Sequence, residues 1–354
     1  MDHGEGDPSR PDEHFLSASA AKKQFAVRLV VLGFVALLFP SLAQAQQPPG
    51  KAQRAWAEYQ LFAPQRAFAV SADGEASQWW AAAGGEDPGK AAEQALSRCT
   101  AQGRSACSLW AVNNIVLAGR DWRSTAPVVL PPIGRLRAQP FWQNAGPQAA
   151  AGLIVWSHGY MAGKDSTLTP PQAWVGQFLA RGYDLYRFDR EWIRDWPGDA
   201  TALADAVRQA KALGYRRVIL AGQSAGAWVS MAAALRGAPA DGVVAVSPAH
   251  HGEVRSMRDS TVARAEWQQI VRGLKPGSRI VVAFFDGDDY DVGGRGVDAR
   301  AAFAQSGVQA EVIDRPPGFK GHFGGSDFAF ARSYGACLSA FVESGARQAP
   351  CAGP

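Results

Sequence analysis

This chain of 354 residues lacks a large excess of charge of either sign. Its 36 Lys and Arg are nearly balanced by 32 Asp and Glu, so the formal net charge at pH 7 is only +4. No dense run of Lys and Arg occurs in the body of the chain, whereas a nucleic-acid-binding protein needs a basic stripe or patch. We therefore expect no nucleic-acid partner.

Cysteine is also scarce, with four in the whole chain. None lies in a C-x-x-C pair or in a Cys/His cluster with ligand spacing, so the sequence predicts no metal site and no cofactor. An even number of cysteines favours disulfides in an oxidising compartment. Three connectivities are possible, and proximity along the chain favours Cys99 with Cys107 and Cys337 with Cys351. Buried free thiols are the alternative.

Long hydrophobic runs are absent apart from Leu29–Phe39, near the N-terminus. This run is shorter than the about 20 residues that a membrane-spanning helix needs. A basic flank ends at Arg28 before it, and Ala43-Gln44-Ala45 follows it, which is typical of a secretory signal peptide. We expect residues 1–45 to be that signal and the protein to be secreted or periplasmic. An uncleaved anchor, which alone would attach the protein to a membrane, and a start codon placed too far upstream are the alternatives.

The sequence pattern of residues 46–125 is that of a small separate module. Apolar runs at 67–70 and 79–82 come first, helical spacing of Ala and Leu follows within 88–101, and a strand pattern covers 107–112. The pattern predicts a β-β-α-β unit with one disulfide between its helix and its last strand. The module contains no His, so we interpret it as a binding or structural appendage.

From residue 151 to the C-terminus at 354, continuous apolar runs alternate with amphipathic helical segments. The predicted strands are 153–156, 183–188, 218–220, 243–246, 280–285 and 308–313. This alternation predicts an α/β domain with a mostly parallel sheet and helices on both faces. Such sheets bind ligands at the carboxyl ends of their strands. Residues 126–150, rich in Pro, Ala and Gln, are predicted to be a linker, with room for an outer strand of this domain.

The third predicted strand of this domain ends in the sequence G-Q-S-A-G, centred on Ser224, and a helical segment follows at once. In this context G-x-S-x-G forms a sharp turn that exposes the serine hydroxyl above the sheet. Side chains at Gly222 and Gly226 would collide there. We predict that Ser224 is a nucleophile and that the N–H of Ala225, at the helix N-terminus, binds an oxyanion. An ordinary strand–helix turn is the alternative.

A general base must reach the Ser224 hydroxyl from another loop. Only His250, His251 and His322 follow Ser224 along the chain. The chain order of this type of site is Ser, then acid, then His. Because His322 alone leaves room for an acid at the end of an intervening strand, we predict that His322 is the base.

The acid is expected after the fifth predicted strand, where four aspartates occur within 286–291. Counting from the strand end favours Asp289, with Asp288 and Asp291 as rivals and Glu253 as an outside candidate. Carboxylates this close together repel, so most of them must face solvent. The acid would fix the histidine tautomer and stabilise its charged form. Ca²⁺ binding is the alternative, disfavoured because the loop lacks the EF-hand ligand pattern.

Two further loops are expected at the same edge of the sheet. The loop after the first predicted strand begins at His158, and the N–H of Tyr160 or Met161 is the predicted second oxyanion donor. We expect His158 to brace this loop by hydrogen bonding. Trp192 and Trp196 follow the second predicted strand and could line an apolar pocket, with packing on the surface as the alternative.

Residues 151–345 resemble the α/β-hydrolase superfamily in their His-Gly loop, G-Q-S-A-G turn, acidic loop and Gly-His-Phe segment, in that order. The resemblance implies a carboxylesterase-like serine hydrolase that cleaves an ester, thioester or amide of a small molecule through an acyl-enzyme on Ser224. A serine nucleophile argues against the dehalogenase and dienelactone-hydrolase branches, and the absence of a long insertion argues against a lipase-type lid. The competing hypothesis is an exported scaffold whose N-terminal module recognises an envelope partner.

Overall fold

The computed structural model describes residues 47–82, 87–103, 106–124, 130–161, 164–165, 169–190 and 195–351. The predicted signal peptide and Trp192 lie outside these ranges. Within them, no helix is long and apolar enough to cross a membrane.

The N-terminal module is a four-stranded antiparallel sheet with two helices. Its elements are α1 Ala52–Gln60, β1 Arg66–Ser71, β2 Ser77–Ala81, α2 Gly89–Thr100, β3 Cys107–Val112 and β4 Ile115–Val116. The strand order is β2-β1-β3-β4. The predicted β-β-α-β succession is confirmed as β1-β2-α2-β3, and the structure adds α1 before it and the two-residue β4 after it.

The central strand of the module is buried on both faces because a helix packs on each. Phe68 on β1 contacts Trp56 and Tyr59 of α1 at ring-centroid distances of 5.3 and 5.5 Å. Ala67, the preceding residue of β1, points to the opposite face and lies in the cluster formed with Ala95 of α2. This alternation follows from the two-residue period of a strand.

The second sheet contains seven strands. They are β5 Leu136–Ala138, β6 Gly152–Ser157, β9 Tyr183–Phe188, β10 Val218–Gln223, β11 Gly242–Val246, β12 Arg279–Phe284 and β13 Ala310–Asp314. A two-stranded hairpin, β7 Tyr160–Met161 and β8 Lys164–Asp165, follows β6. The order in the sheet is β13-β12-β11-β10-β6-β9-β5, parallel throughout except for β5. This arrangement confirms the predicted α/β-hydrolase fold.

The first strand of this sheet lies in the segment predicted to be a linker. Leu136 of β5 pairs antiparallel with Phe188 of β9. Ile133 and Trp142, on either side of β5, are also buried. Residues 130–150 therefore belong to the α/β domain and contribute several side chains to its core, with β5 as its outer strand.

Helices cover both faces of the sheet. They are α3 Gly176–Leu179, α4 Trp196–Ala212, α5 Ala225–Leu235, α6 Ser260–Gly273, α7 Arg295–Ser306 and α8 Phe328–Ser344, with 3-10 turns at Ala173–Val175, Val254–Ser256 and Gly324–Ser326. The core on one face involves α4 to α7, and the core on the other involves α3 and α8. Each parallel strand is therefore apolar on both sides, which explains the continuous runs in the sequence.

The module packs against α3 and α8 of the larger domain. A Cβ at Gly176 would lie 1.9 Å from the carbonyl oxygen of Leu61, so only glycine allows the two backbones to approach this closely. Phe62 contacts Phe328 at a ring-centroid distance of 4.9 Å. Arg332 and Glu58 form a salt bridge of 2.6 Å across the same contact.

Two disulfides are present in the structure. They join Cys99 to Cys107 and Cys337 to Cys351, the pairing that proximity along the chain favours. The first links α2 to β3 within the module, and the second ties the C-terminal segment to α8. Neither lies at the carboxyl edge of the sheet.

The strand order reverses beside β6. The chain passes from β6 to β9 on one side and then returns to β10 on the other. A crevice opens at such a reversal, outside the carboxyl ends of the strands. The loops that follow β6 and β10 therefore meet at the place where the sequence predicts the site.

Candidate active site

Ser224 lies between β10 and α5 in a strained backbone conformation. Its φ is +55° and its ψ is −123°, which is rare for a residue other than glycine and costs of order 1–3 kcal/mol. The conformation is held by its neighbours: the N–H of Ser224 donates to the carbonyl of Val246 at 3.0 Å, and the N–H groups of Trp228 and Ala249 donate to its carbonyl. The turn is therefore fixed by the strands and the helix around it.

The glycines of the G-Q-S-A-G sequence are required by space. A Cβ at Gly222 would lie 2.5 Å from the carbonyl carbon of Gly226. A Cβ at Gly226 would lie 1.9 Å from the carbonyl oxygen of Ser157 at the end of β6. Both contacts involve backbone atoms that cannot move aside, so the turn excludes side chains at these two positions.

His322 contacts both Ser224 and an aspartate. Its Nε2 lies 2.8 Å from Ser224 Oγ, and its Nδ1 lies 2.9 Å from Asp288 Oδ1. The side chains of His322 and Asp288 are 7% and 3% exposed. The loop that carries His322 is fixed by the N–H of Gly321, which donates to the carbonyl of Asp286 at 2.8 Å.

The aspartate that contacts His322 is Asp288 and not the predicted Asp289. The predicted strand ended at Phe285, four residues before Asp289, but β12 ends at Phe284, four residues before Asp288. The side chain of Asp289 is exposed, and its backbone carbonyl accepts the N–H of Val254 at 2.7 Å.

The other two candidate acids have different partners. Asp291 accepts the N–H of Gly293 at 3.0 Å and lies 3.6 Å from the Nε of the buried Arg295. Burial raises the pKa of the Asp291 carboxyl. Glu253 is paired with Arg255 at 2.5 Å. Neither is bonded to His322.

Tyr290 is a site residue that the sequence reasoning missed. Its ring lies on the His322 imidazole, with centroids 4.1 Å apart and an angle of 33° between the planes. Its backbone N–H donates to Asp288 Oδ1 at 2.9 Å, and its hydroxyl donates to Glu253 Oε1 at 3.4 Å. An aromatic residue two positions after a candidate acid was the only signal in the sequence.

The predicted oxyanion donors lie beside the nucleophile. Ala225 begins α5, where the first N–H groups have no acceptor within the helix. Tyr160 begins the hairpin that follows β6. Both residues line the same cavity as Ser224.

The loop before Tyr160 is braced by Arg190, which the sequence reasoning also missed. Its Nη1 donates to the carbonyl of His158 at 2.5 Å, and its Nη2 donates to that of Gly159 at 3.1 Å. His158 is fully buried, and its Nδ1 lies 3.0 Å from the carbonyl oxygen of Gly159.

A cavity of about 980 Å³ opens beside Ser224. This volume suits a small-molecule site, since such sites measure about 300–1,000 Å³. Trp196 lines the cavity and contacts the buried Trp228 edge-to-face at 6.1 Å. His250 and His251, which the sequence placed after Ser224 but not in the base role, also line it. The described part of the chain contains no cluster of three or more His, Cys, Asp or Glu suited to a metal ion.

No family model and no curated protein matches this chain. Among solved structures, it is similar to a truncated carbohydrate esterase from gut microbiota, with 14% identity over 62% of this chain and 100% of the other and a TM-score of 0.46. It is also similar to the esterase Pf2001 of Pyrococcus furiosus, with 14% identity over 55% and 81% of the two chains and a TM-score of 0.41. A phospholipase/carboxylesterase from Dyadobacter fermentans has 10% identity over 60% and 99%, with a TM-score of 0.39.

Proposed function

We propose that this protein is an exported, carboxylesterase-like serine hydrolase that cleaves a small-molecule ester, or a thioester or amide, through an acyl-enzyme on Ser224. The observation that carries the proposal is the continuous contact from Ser224 Oγ to His322 Nε2 at 2.8 Å and from His322 Nδ1 to Asp288 at 2.9 Å. Nucleophile, base and orienting acid within hydrogen-bond reach are the requirement for this chemistry.

In the proposed first step, Ser224 Oγ attacks the carbonyl carbon of the ester while His322 Nε2 takes the hydroxyl proton. Asp288 holds the imidazole with its other N–H toward the carboxylate and stabilises the imidazolium that forms. The carbonyl oxygen becomes an oxyanion, which accepts hydrogen bonds from the N–H groups of Ala225 and Tyr160.

The tetrahedral intermediate then collapses, and the bond to the leaving oxygen breaks. His322 gives its proton to that oxygen, so the alcohol departs and the acyl group stays on Ser224. In the second half, His322 takes a proton from water, the hydroxide attacks the acyl carbon, and the carboxylic acid leaves as Ser224 Oγ is reprotonated. The nearby Tyr290 ring keeps the imidazole in place throughout both halves.

Export and the domain boundaries are part of the proposal. Two disulfides favour an oxidising compartment, because thiols stay reduced in the cytosol. The signal-like sequence at 1–45 agrees with secretion or a periplasmic location. We assign 46–125 to the module, and we extend the predicted catalytic domain of 151–354 to include residues 130–150, because β5 pairs with β9. The contacts of the module with α3 and α8 support a structural role for it.

Labelling with a fluorophosphonate tests the proposal, because this reagent phosphonylates a serine only when a base activates it. We expect one adduct by intact mass, mapped to the peptide of Ser224, and loss of both adduct and ester turnover in Ser224→Ala. Ser278→Ala is the matched control, since Ser278 lies immediately before β12, at the opposite end of the strand from the catalytic loop, and donates to the carbonyl of Ala240. It should label like the wild type. A folded wild type without an adduct and without turnover of any ester would favour the scaffold hypothesis instead.

A further inference from the structure

One side of the cavity is formed by the loop after β11. The N–H of Ala249 donates to the carbonyl of Ser224 at 3.2 Å, so this loop is attached directly to the nucleophile turn. His250 and His251 come next in the chain, and both line the cavity. A group attached to the reacting ester therefore meets these two side chains.

This side of the cavity is aromatic. The ring of His250 stacks on Trp228, with centroids 6.1 Å apart and planes at 28°, and contacts Trp196 edge-to-face at 6.1 Å. Trp228 is fully buried beneath them, whereas Trp196 and His250 are partly exposed. Because Trp228 packs against Trp196 and His250 on their buried side, the exposed faces of these two rings are available to a flat face of a ligand.

A polar pair lies beside the aromatic surface. His251 Nε2 is 3.0 Å from Glu266 Oε2, with Glu266 on α6. Their side chains are 18% and 30% exposed. Glu266 also has a second carboxylate oxygen, Oε1, which can accept a hydrogen bond from a ligand. The pair therefore offers hydrogen bonds at the edge of a flat surface.

The charges that line the cavity balance. Among the described lining residues, Arg190 and Arg258 oppose Asp199 and Glu266, two positive groups against two negative ones. A long aliphatic chain would remove these polar groups from water without replacing their hydrogen bonds, which is costly. Among these described residues, a strongly charged ligand finds no net opposite charge. The lining favours a neutral ligand that is rich in hydrogen-bonding groups.

We propose that Trp196, His250, His251 and Glu266 form a subsite for a neutral, hydroxyl-bearing ring of the sugar type, which carries the ester that Ser224 cleaves. This inference rests on the proposed function. The C–H face of the ring packs on Trp196 and His250, and its hydroxyls donate to Glu266. In cleavage, the acyl group passes to Ser224 Oγ, and the ring oxygen that loses it takes the proton from His322, so the products after hydrolysis are the free sugar hydroxyl and the acid.

Three acetate esters with the same acyl group test the subsite: methyl 6-O-acetyl-glucoside, which keeps three free hydroxyls, hexyl acetate and 4-nitrophenyl acetate. Because the sugar acetate and hexyl acetate share the acyl group and both release an aliphatic alcohol, the difference between their kcat/KM values reports the group that occupies the cavity. We expect the sugar acetate to exceed hexyl acetate by about tenfold or more, the size of effect that one or two hydrogen bonds give. Equal or better cleavage of hexyl acetate would overturn the subsite.

Glu266→Gln tests the polar pair, and Glu58→Gln is its matched control. Glu58 is an exposed carboxylate on α1 that pairs with Arg332, away from the cavity. In Glu266→Gln we expect the ratio of sugar acetate to hexyl acetate to fall by about fivefold or more, mainly through KM. In Glu58→Gln the ratio should stay within about twofold of the wild type. An equal fall for both esters in Glu266→Gln would overturn the subsite.

The 4-nitrophenyl acetate and the fluorophosphonate adduct separate the two proposals. If wild-type protein cleaves 4-nitrophenyl acetate and forms the adduct but shows no preference for the sugar ester, the subsite alone is wrong. If it cleaves none of the three esters and forms no adduct, the proposed function fails, and the subsite fails with it.

Discussion

The rings of Tyr290 and His322 are in tilted face contact, with centroids 4.1 Å apart and planes at 33°. The backbone N–H of Tyr290 and the Nδ1 of His322 both lie 2.9 Å from the same oxygen, Asp288 Oδ1. One residue therefore touches both the proposed base and the proposed acid. The contact limits how far the imidazole can tilt away from Ser224.

Removing the ring of Tyr290 should lower kcat more than it raises KM. Tyr290→Ala leaves the backbone N–H in place but frees one face of the imidazole, and a small misplacement of a catalytic group can cost about 100-fold in rate. Tyr290→Phe keeps the ring and should retain activity within about threefold. Steady-state kinetics with 4-nitrophenyl acetate over a range of pH would measure both. A loss in Tyr290→Phe as large as in Tyr290→Ala would assign the role to the hydroxyl and its contact with Glu253.

Asp288 and Asp289 form a charge-matched pair of test positions, since each substitution removes one negative charge from the same loop. Asp288→Asn takes away the acceptor for His322 Nδ1 and favours the wrong tautomer, which can lower kcat by about 10⁴-fold. Asp289→Asn alters an exposed side chain and should change kcat by less than about twofold. Similar kcat values for the two variants would show that His322 is oriented by another group.

Gly226→Ala should destabilise the protein although it lies in a helix. In a helix interior, alanine is normally better than glycine by about 1 kcal/mol. At Gly226 the new Cβ would lie 1.9 Å from the carbonyl oxygen of Ser157, so we expect a lower melting temperature and loss of turnover. Gly335→Ala, in α8, is the control, because its Cβ meets the flexible side chain of Gln177 at 3.0 Å. Thermal unfolding followed by circular dichroism compares the two, and equal melting temperatures would contradict the clash.

The disulfide between Cys337 and Cys351 should stabilise the catalytic domain. The two residues are 14 apart in sequence, and closing a loop of about 15 residues contributes about 3 kcal/mol in the chain-entropy model. We expect the double variant Cys337→Ser, Cys351→Ser to unfold at lower urea concentration than the wild type. A reducing agent should lower the urea midpoint of the wild type by more than that of the variant, because the variant already lacks this bridge. Equal free energies of unfolding in oxidising buffer would argue against the bridge.

The ion pair between Asp298 on α7 and Arg264 on α6 should make stability depend on pH. The guanidinium donates to the carboxylate at 2.9 and 3.1 Å, and this contact holds the pKa of Asp298 below its usual value of 3.8. A carboxyl group whose pKa is lower in the folded state stabilises the protein at pH values above its unfolded-state pKa. This stabilisation is lost as the pH falls through the folded-state pKa. Asp298→Asn should therefore lower the urea midpoint at pH 7, and its difference from wild type should shrink below pH 3.8. Arg264→Gln should also lower the urea midpoint at pH 7, with a difference from wild type that shrinks below pH 3.8. A difference that does not change with pH would contradict the assignment to this pair.

The sequence by itself determined the features that depend on short spacing. The alternation of buried strands and helices is local, because each parallel strand must be apolar on both faces. The same holds for Gly222 of the G-Q-S-A-G turn, where a Cβ would collide with Gly226, four residues later, whereas Gly226 is restricted by Ser157 at the end of another strand. Chain order then pointed to His322, and the structure places its Nε2 2.8 Å from Ser224 Oγ.

The tertiary structure decided what depends on contacts between distant segments. The choice between Asp288 and Asp289 turned on the end of β12, since a shift of one residue changes which side chain reaches His322. The strand β5 exists because β9 offers it an edge to pair with, and its own residues carry no strand signal. Arg190 braces a loop 32 residues before it in the chain. Contacts of this kind are made only when the chain has folded, and no short-range pattern in the sequence encodes them.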